Sequence, residues 1–180
     1  MLYDIYSNDE NDQWRYLLGR AGRCTLVTVG LNPSTATQER TDPTMARVNE
    51  AAKRNGFDGF LMTNLYPLRA TDYRTLPTKV NRVAFERNLD AIEEAVAQHE
   101  RETIWAAWGS PVVHHSYFLR ARNQLVDRLE RHQPQRVRFG ELTSLAIPGM
   151  RAGWTMAGPS RPATLLGDGA TPSRSLPLGW

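Results

Sequence analysis

The sequence has little cysteine and lysine, and it has no long apolar run. Its one cysteine, Cys24, excludes a disulfide framework and a cysteine-rich zinc site, and it favours a cytoplasmic protein. Without an apolar run of about 18 residues, no membrane span and no membrane partner are expected. The acidic, polar first residues do not have the pattern of a signal peptide.

Motifs for common cofactors and metals are also missing. The sequence contains no Walker loop, dinucleotide-binding fingerprint, nucleophile elbow or zinc motif, so we expect no cofactor and no metal. The pair His114-His115 does not change this expectation. Adjacent residues on a helix point about 100° apart and are poor partners for one ion, so we interpret both as surface histidines.

Positive charge is carried almost entirely by arginine. The net charge is +3, and lysine occurs only at Lys53 and Lys79. Arginine is suited to bidentate phosphate contacts, which would fit a nucleic-acid partner. A GC-rich genome would produce the same bias, and both interpretations stay open.

Hydrophobic periodicity predicts alternating strands and helices. Helices are predicted at residues 12–20, 43–55, 80–100 and 114–132. Strands are predicted at residues 24–30, 59–68 and 102–109, with a fourth at either 136–142 or 152–158. This order predicts an α/β fold, a three-layer αβα arrangement with a short, mostly parallel four-stranded sheet. Residues 1–166 would form one domain, and residues 167–180 a Gly/Pro/Ser-rich tail.

Three predicted strands end in polar residues, at Asn32, Asn64 and Ser110. The carboxyl ends of parallel strands meet at one edge of a sheet, where ligands bind in such folds. Each asparagine alone fits a turn or cap, but together at one edge they predict a site.

Two charged residues have alternative interpretations. Asp42 lies in the loop after the first predicted strand, directly before Pro43, so it is an N-cap, a site carboxylate, or both. Arg161 lies between two prolines in a rigid loop of small residues, so it either contacts a phosphate or is an ordinary exposed arginine.

The motifs around these residues resemble those of a bacterial family of unassigned function. The resemblance covers roughly residues 14–166 and rests on Leu31-Asn32-Pro33-Ser34-Thr35-Ala36, Asp42-Pro43-Thr44, Asn64-Leu65, Arg69-Ala70-Thr71, Asn88 and Ala107-Trp108-Gly109. That family commonly ends in proline, a basic residue and then His-Pro. Here Arg161 stands where the histidine would be.

A more distant resemblance is to the uracil-DNA glycosylase superfamily. It rests on Gly30-Leu31-Asn32-Pro33, on Leu61-Met62-Thr63-Asn64, on Ala106-Ala107-Trp108-Gly109-Ser110 and on Pro159-Ser160-Arg161-Pro162. The last segment lacks the histidine of that superfamily. The resemblance implies a uracil-DNA glycosylase-like fold.

The resemblance also implies roles for individual residues. Asn32 would orient the water that attacks the sugar, with Asp42 as the other candidate for this task. Asn64 would read the edge of a flipped base, and Ser34 and Tyr66 would line its pocket. Contacts to DNA phosphates would come from Ser110, Ser160 and Arg161.

The implied function is a DNA glycosylase that removes a modified or damaged pyrimidine. In the uracil-specific branch a tyrosine follows the motif proline and blocks substituents on carbon 5. The small Ser34 at this position implies a 5-substituted pyrimidine, such as those of bacteriophages that modify their DNA, and hence a role in antiphage defence. The alternatives are an enzyme acting on free nucleotides and a nucleic-acid-binding module without catalysis.

Overall fold

The structure is a computed structural model, and it describes residues 1–98, 103–132, 135–138 and 154–156. Residues 135–138 and 154–156 are described as backbone strands. The strands are β1 (Ile5–Asn8), β2 (Arg15–Arg20), β3 (Thr25–Gly30), β4 (Gly59–Asn64), β5 (Thr103–Ala106), β6 (Gln135–Arg138) and β7 (Trp154–Met156). The helices are α1 (Pro43–Arg54), α2 (Arg82–Ala97) and α3 (Ser116–Glu130), with short 3₁₀ turns at Tyr73–Thr75 and Ser110–Val113.

The described strands form one mixed sheet in the order β1-β2-β4-β3-β5-β6-β7. Strands β4, β3, β5, β6 and β7 are parallel to one another, and β1 and β2 extend the sheet beyond β4 as an antiparallel pair. The predicted α/β class is confirmed, but four strands were too few. Both candidates for the fourth strand contribute, as β6 and β7, and the N-terminal hairpin was not predicted at all.

Helices cover both faces of the central strands, which is why β3 and β4 are buried along their whole length. Leu26 of β3 packs with Phe60 of β4 and with Met45 of α1 in one buried cluster. Val27 and Val29 of β3 belong to a second cluster, which contains residues of α2 and α3. Alternate residues of a strand point to opposite faces, so α1 lies on one face and α2 and α3 lie on the other.

Residues 12–20 were predicted as a helix, and this prediction is wrong. Most of this segment is β2, which pairs antiparallel with both β1 and β4. Gly19 lies so close to β4 that a Cβ atom there would be 2.3 Å from the Phe60 carbonyl oxygen. Pairing with β1 in a hairpin and with β4, about forty residues later, outweighs the helical spacing of its apolar residues.

The other predicted helices are confirmed with shorter bounds. Helix α1 begins at Pro43 after the N-cap Asp42, and Gly56 beyond its end has a φ of +81°. Strand β4 ends at Asn64, earlier than predicted, and the buried chain continues irregularly to Pro67. None of the helices in the described residues is long and apolar enough to cross a membrane.

Replacing Gly19 with alanine distinguishes the observed strand from the predicted helix. In the strand, Gly19→Ala forces backbone atoms of β4 to move, and we expect the free energy of unfolding to fall by about 1–3 kcal/mol. In an exposed helix the same change would instead stabilise the protein by about 0.8–1 kcal/mol. Urea unfolding measures the sign, with Arg20→Ala on the same strand as the control. A stabilised Gly19→Ala variant would contradict the strand.

Candidate functional site

The pairing of β3 with β4 continues beyond the ends of both strands. The Leu65 N–H donates to the Gly30 carbonyl at 3.0 Å, and the Tyr66 N–H donates to the Leu31 carbonyl at 3.1 Å. On the other side of β3, the Ala107 N–H donates to the Val29 carbonyl at 2.8 Å. The segments after β3, β4 and β5 therefore meet at the carboxyl edge of the sheet, as the sequence predicts.

Asn32 lies at this edge with its amide group oriented by hydrogen bonds. Its Nδ2 donates to the carbonyl oxygens of Ala70 at 2.8 Å and of Pro33 at 3.0 Å. Carbonyl oxygens only accept, so the NH₂ group must face them and Oδ1 must face the other way. The side chain is half-buried, and within the described part of the chain no group donates to Oδ1. Asn32 thus presents a fixed hydrogen-bond acceptor.

Asn64 is fully buried beside Gly30 of the neighbouring strand, and neither end of its side-chain amide has a hydrogen-bond partner among the described residues. A Cβ atom on Gly30 would lie 2.8 Å from Asn64 Oδ1, so glycine is required for the amide to occupy this place. The Asn64 backbone carbonyl accepts from Asn88 Nδ2 of α2 at 2.8 Å. An unpaired buried polar group costs about 1–3 kcal/mol, so this amide is a candidate ligand-binding group.

Asp42 links the loop after β3 to helix α1. One carboxylate oxygen accepts from the Met45 N–H at 2.9 Å, and the other accepts from the Ala36 N–H at 3.1 Å. The N-cap interpretation is confirmed. Both oxygens are held by backbone donors in a buried environment, and a direct role with the attacking water stays a prediction.

The remaining candidates for contact with the base or with DNA phosphates are Ser34, Ser110, Ser160 and Arg161. Ser34 is half-buried in the loop after Asn32, and Ser110 is half-buried at the first position of the 3₁₀ turn after β5. Ser160 and Arg161 lie outside the described residues, as does the tail at 167–180.

Tyr66 is a core residue rather than an exposed one. It is 1% exposed, and its ring packs edge-on against Trp14 and at a tilt against Tyr117, with ring centroids 5.7 Å and 4.6 Å away. Its hydroxyl oxygen accepts from the Asn81 N–H at 3.0 Å, and burial raises the pKa of the phenol. Its predicted contact with a base would require the ring to become accessible.

Two arginines at the site, the buried Arg15 and the half-buried Arg69, were assigned no role from the sequence. Arg69 Nη1 donates to the carbonyls of Ser34 at 2.7 Å and Ala36 at 2.8 Å, and Arg15 Nη1 donates to Ala36 at 2.9 Å. Burial and the charge of Arg69 lower the pKa of Arg15 to about 10. Two features of the sequence could have indicated these arginines. Arg15 stands directly beside the apolar residues of β2, and Arg69 belongs to the Arg69-Ala70-Thr71 motif.

The two adjacent histidines differ in burial. His114 is exposed, as expected, whereas His115 is half-buried and its buried Nε2 atom has no hydrogen-bond partner in the described part of the chain. The His115 ring stacks on Tyr117 with centroids 4.8 Å apart, and burial lowers the pKa of His115. Among the described residues, no three His, Cys, Asp or Glu side chains are grouped so that they could hold a metal ion.

These features define an α/β protein with a candidate polar site at the carboxyl edge of its parallel strands. The chain belongs to the family described as "Protein of unknown function (DUF1643)", whose model matches residues 15–146. This agrees with the expected membership of a family of unassigned function, and the matched residues include Asn32, Asp42 and Asn64 but not Arg161. Comparisons with curated proteins and with solved structures find no match.

Graded replacement of Asp42 tests its double role in stability. Asp42→Ala removes both acceptors, and we expect the free energy of unfolding to fall by about 2–4 kcal/mol. Asp42→Asn keeps one acceptor oxygen and should lose about half as much. Urea unfolding provides the comparison, with the exposed Asp127→Ala on α3 as the control. If both variants lost the same free energy of unfolding, the hydrogen bonds from Met45 and Ala36 would not contribute separately, and the prediction would be wrong.

Proposed function

We propose that the protein is a DNA glycosylase that hydrolyses the N-glycosidic bond of a flipped, modified or damaged pyrimidine. The observation that carries the proposal is the unpaired, buried amide of Asn64 at the same sheet edge as the anchored amide of Asn32. A glycosylase active site needs one group that recognises the base and another that orients the attacking water.

The amide of Asn64 suits a pyrimidine edge. A side-chain amide offers one acceptor and donors side by side, and a pyrimidine presents a carbonyl beside a ring nitrogen. Flipped bases are read by hydrogen bonds of this kind in enclosed pockets. Asn64 has no exposed surface, so the groups covering it must move before a base can reach it.

The orientation of Asn32 suits the attacking water. Its free Oδ1 can accept a water hydrogen and thereby aim a water lone pair at the sugar carbon. As the bond breaks, the base departs with negative charge, which an uncompensated carboxylate nearby would oppose. Both oxygens of Asp42 accept from backbone N–H groups, so its charge is compensated.

The fold and charge support the same proposal. With α1 on one face of the sheet and α2 and α3 on the other, the three-layer αβα arrangement of a uracil-DNA glycosylase-like fold is compatible with the chain. The arginine-rich positive charge fits DNA as the partner. Removal of modified bases from phage DNA would make the enzyme an antiphage defence protein.

Release of a free base from DNA tests the proposal directly. The protein is incubated with DNA carrying uracil, 5-hydroxymethyl or glucosylated pyrimidines, and with modified phage DNA. Mass spectrometry detects the released base, and alkaline cleavage detects abasic sites. We expect release of one base, reduced about 100-fold or more by Asn32→Ala because the water is no longer oriented.

Two further variants complete this experiment. Asn64→Asp should also abolish release because it places a carboxylate against the departing anionic base. The exposed Asn123→Ala on α3 is the matched control and should act like the native protein. Salt-sensitive DNA binding without release would favour a non-catalytic module, and neither binding nor release would favour a substrate among free nucleotides.

The size of residue 34 should decide which base is accepted. Ser34→Tyr is expected to abolish release of 5-substituted pyrimidines while release of unsubstituted uracil is kept or increased. Thr35→Tyr, at the adjacent exposed position, is the control for adding an aromatic ring to this loop. Rates on both bases are compared for each variant. Unchanged activity of Ser34→Tyr on bulky bases would contradict this role.

A further inference from the structure

One guanidinium group connects the loop after β3 to the N-terminal hairpin. Arg69 Nη1 donates to the Ser34 and Ala36 carbonyls of the loop, at 2.7 Å and 2.8 Å. Its Nη2 donates to the Tyr6 hydroxyl at 2.7 Å and to Asp12 Oδ1 at 3.0 Å. Only a planar, forked donor can reach both sides at once.

The residue after Arg69 holds the same loop from its other end. The Ala70 N–H donates to the Pro33 carbonyl at 2.8 Å, and the Ala70 carbonyl accepts from Asn32 Nδ2 at 2.8 Å. The backbone position of Ala70 therefore sets the direction of the Asn32 amide. Arg69 and Ala70 together fix the loop from Asn32 to Ala36.

The arrangement carries an electrostatic cost. The side chain of Arg69 is only 15% exposed, and its charge acts against that of the buried Arg15. Among the described residues, no group pairs with the buried Nε atom of either arginine. Asp12 and Asp42 compensate the two charges, and hydrogen bonds to Asp12 help to lower the pKa of its carboxyl. Buried ionic groups are weak contributors to stability, so a role in holding geometry is the better account.

We propose that Arg69 is a positioning residue of the candidate site, which keeps the loop in the conformation that directs Asn32 Oδ1 outward. This inference rests on the proposed glycosylase function and assigns the residue that holds its site. Arg69 itself contacts loop carbonyls, Tyr6 and Asp12, and it acts on substrate only through Asn32 and Ser34.

The test compares Arg69→Met and Arg69→Lys with the native protein. Arg128→Met is the matched control, because Arg128 is likewise a partly buried arginine paired with acidic side chains but lies on α3. Hydrogen exchange of the Ala36 and Ala70 amides reports on the loop without any substrate. Exchange of the β3 amides reports on the rest of the fold.

In Arg69→Met we expect exchange at Ala36 and Ala70 to become about tenfold faster or more, with β3 unchanged relative to the Arg128→Met control. Misplacement of a reacting group by about 1 Å costs about 100-fold in rate, so kcat for base release should fall by that factor while KM changes little. Lysine keeps the charge but cannot span both sets of acceptors, so Arg69→Lys should recover only part of kcat.

Two results would overturn the inference. One is unchanged exchange at Ala36 and Ala70 in Arg69→Met. The other is faster exchange with kcat equal to that of the native protein. If the native protein releases no base from any DNA, the proposed function fails. The exchange measurements still decide whether Arg69 holds the loop.

Discussion

Strands β3 and β4 run parallel in unbroken register from Thr25 opposite Gly59 to Gly30 opposite Asn64, and the position of the whole candidate site depends on this pairing. The register sets the Asn64 amide against the one residue of β3 that leaves it space. A Cβ atom on Gly30 would also lie 2.5 Å from Met62 Cε. A shift by one residue would move Asn64 to the other face of the sheet.

The central strands could be predicted because their signals are local. A run such as Thr25–Gly30 consists almost entirely of apolar and β-branched residues, which indicates a strand buried on both faces. The start of α1 is equally local, since Asp42 and Pro43 satisfy its first turn within three residues. The meeting of Asn32 and Asn64 at one edge then follows from parallel pairing alone.

What the sequence did not predict depends on contacts between distant segments. Strand β2 has a helix-like spacing of apolar residues, and its pairing with β1 and with β4, about forty residues later, makes it a strand. Arg15 finds the Ala36 carbonyl and Arg69 finds the Ser34 carbonyl, at separations of 21 and 35 residues. Periodicity does not encode which carbonyl a buried guanidinium will reach.

The unpaired polar atoms bear on whether this edge is functional. Globular domains are stable by only about 5–15 kcal/mol, and each unsatisfied buried group costs about 1–3 kcal/mol. The amide of Asn64, Asn88 Oδ1 and the Nε atoms of both arginines lie on residues that hold or form this edge. Of these groups, the Asn64 amide is the one that the proposed substrate base would pair with, while the two arginines hold the loop that carries Asn32.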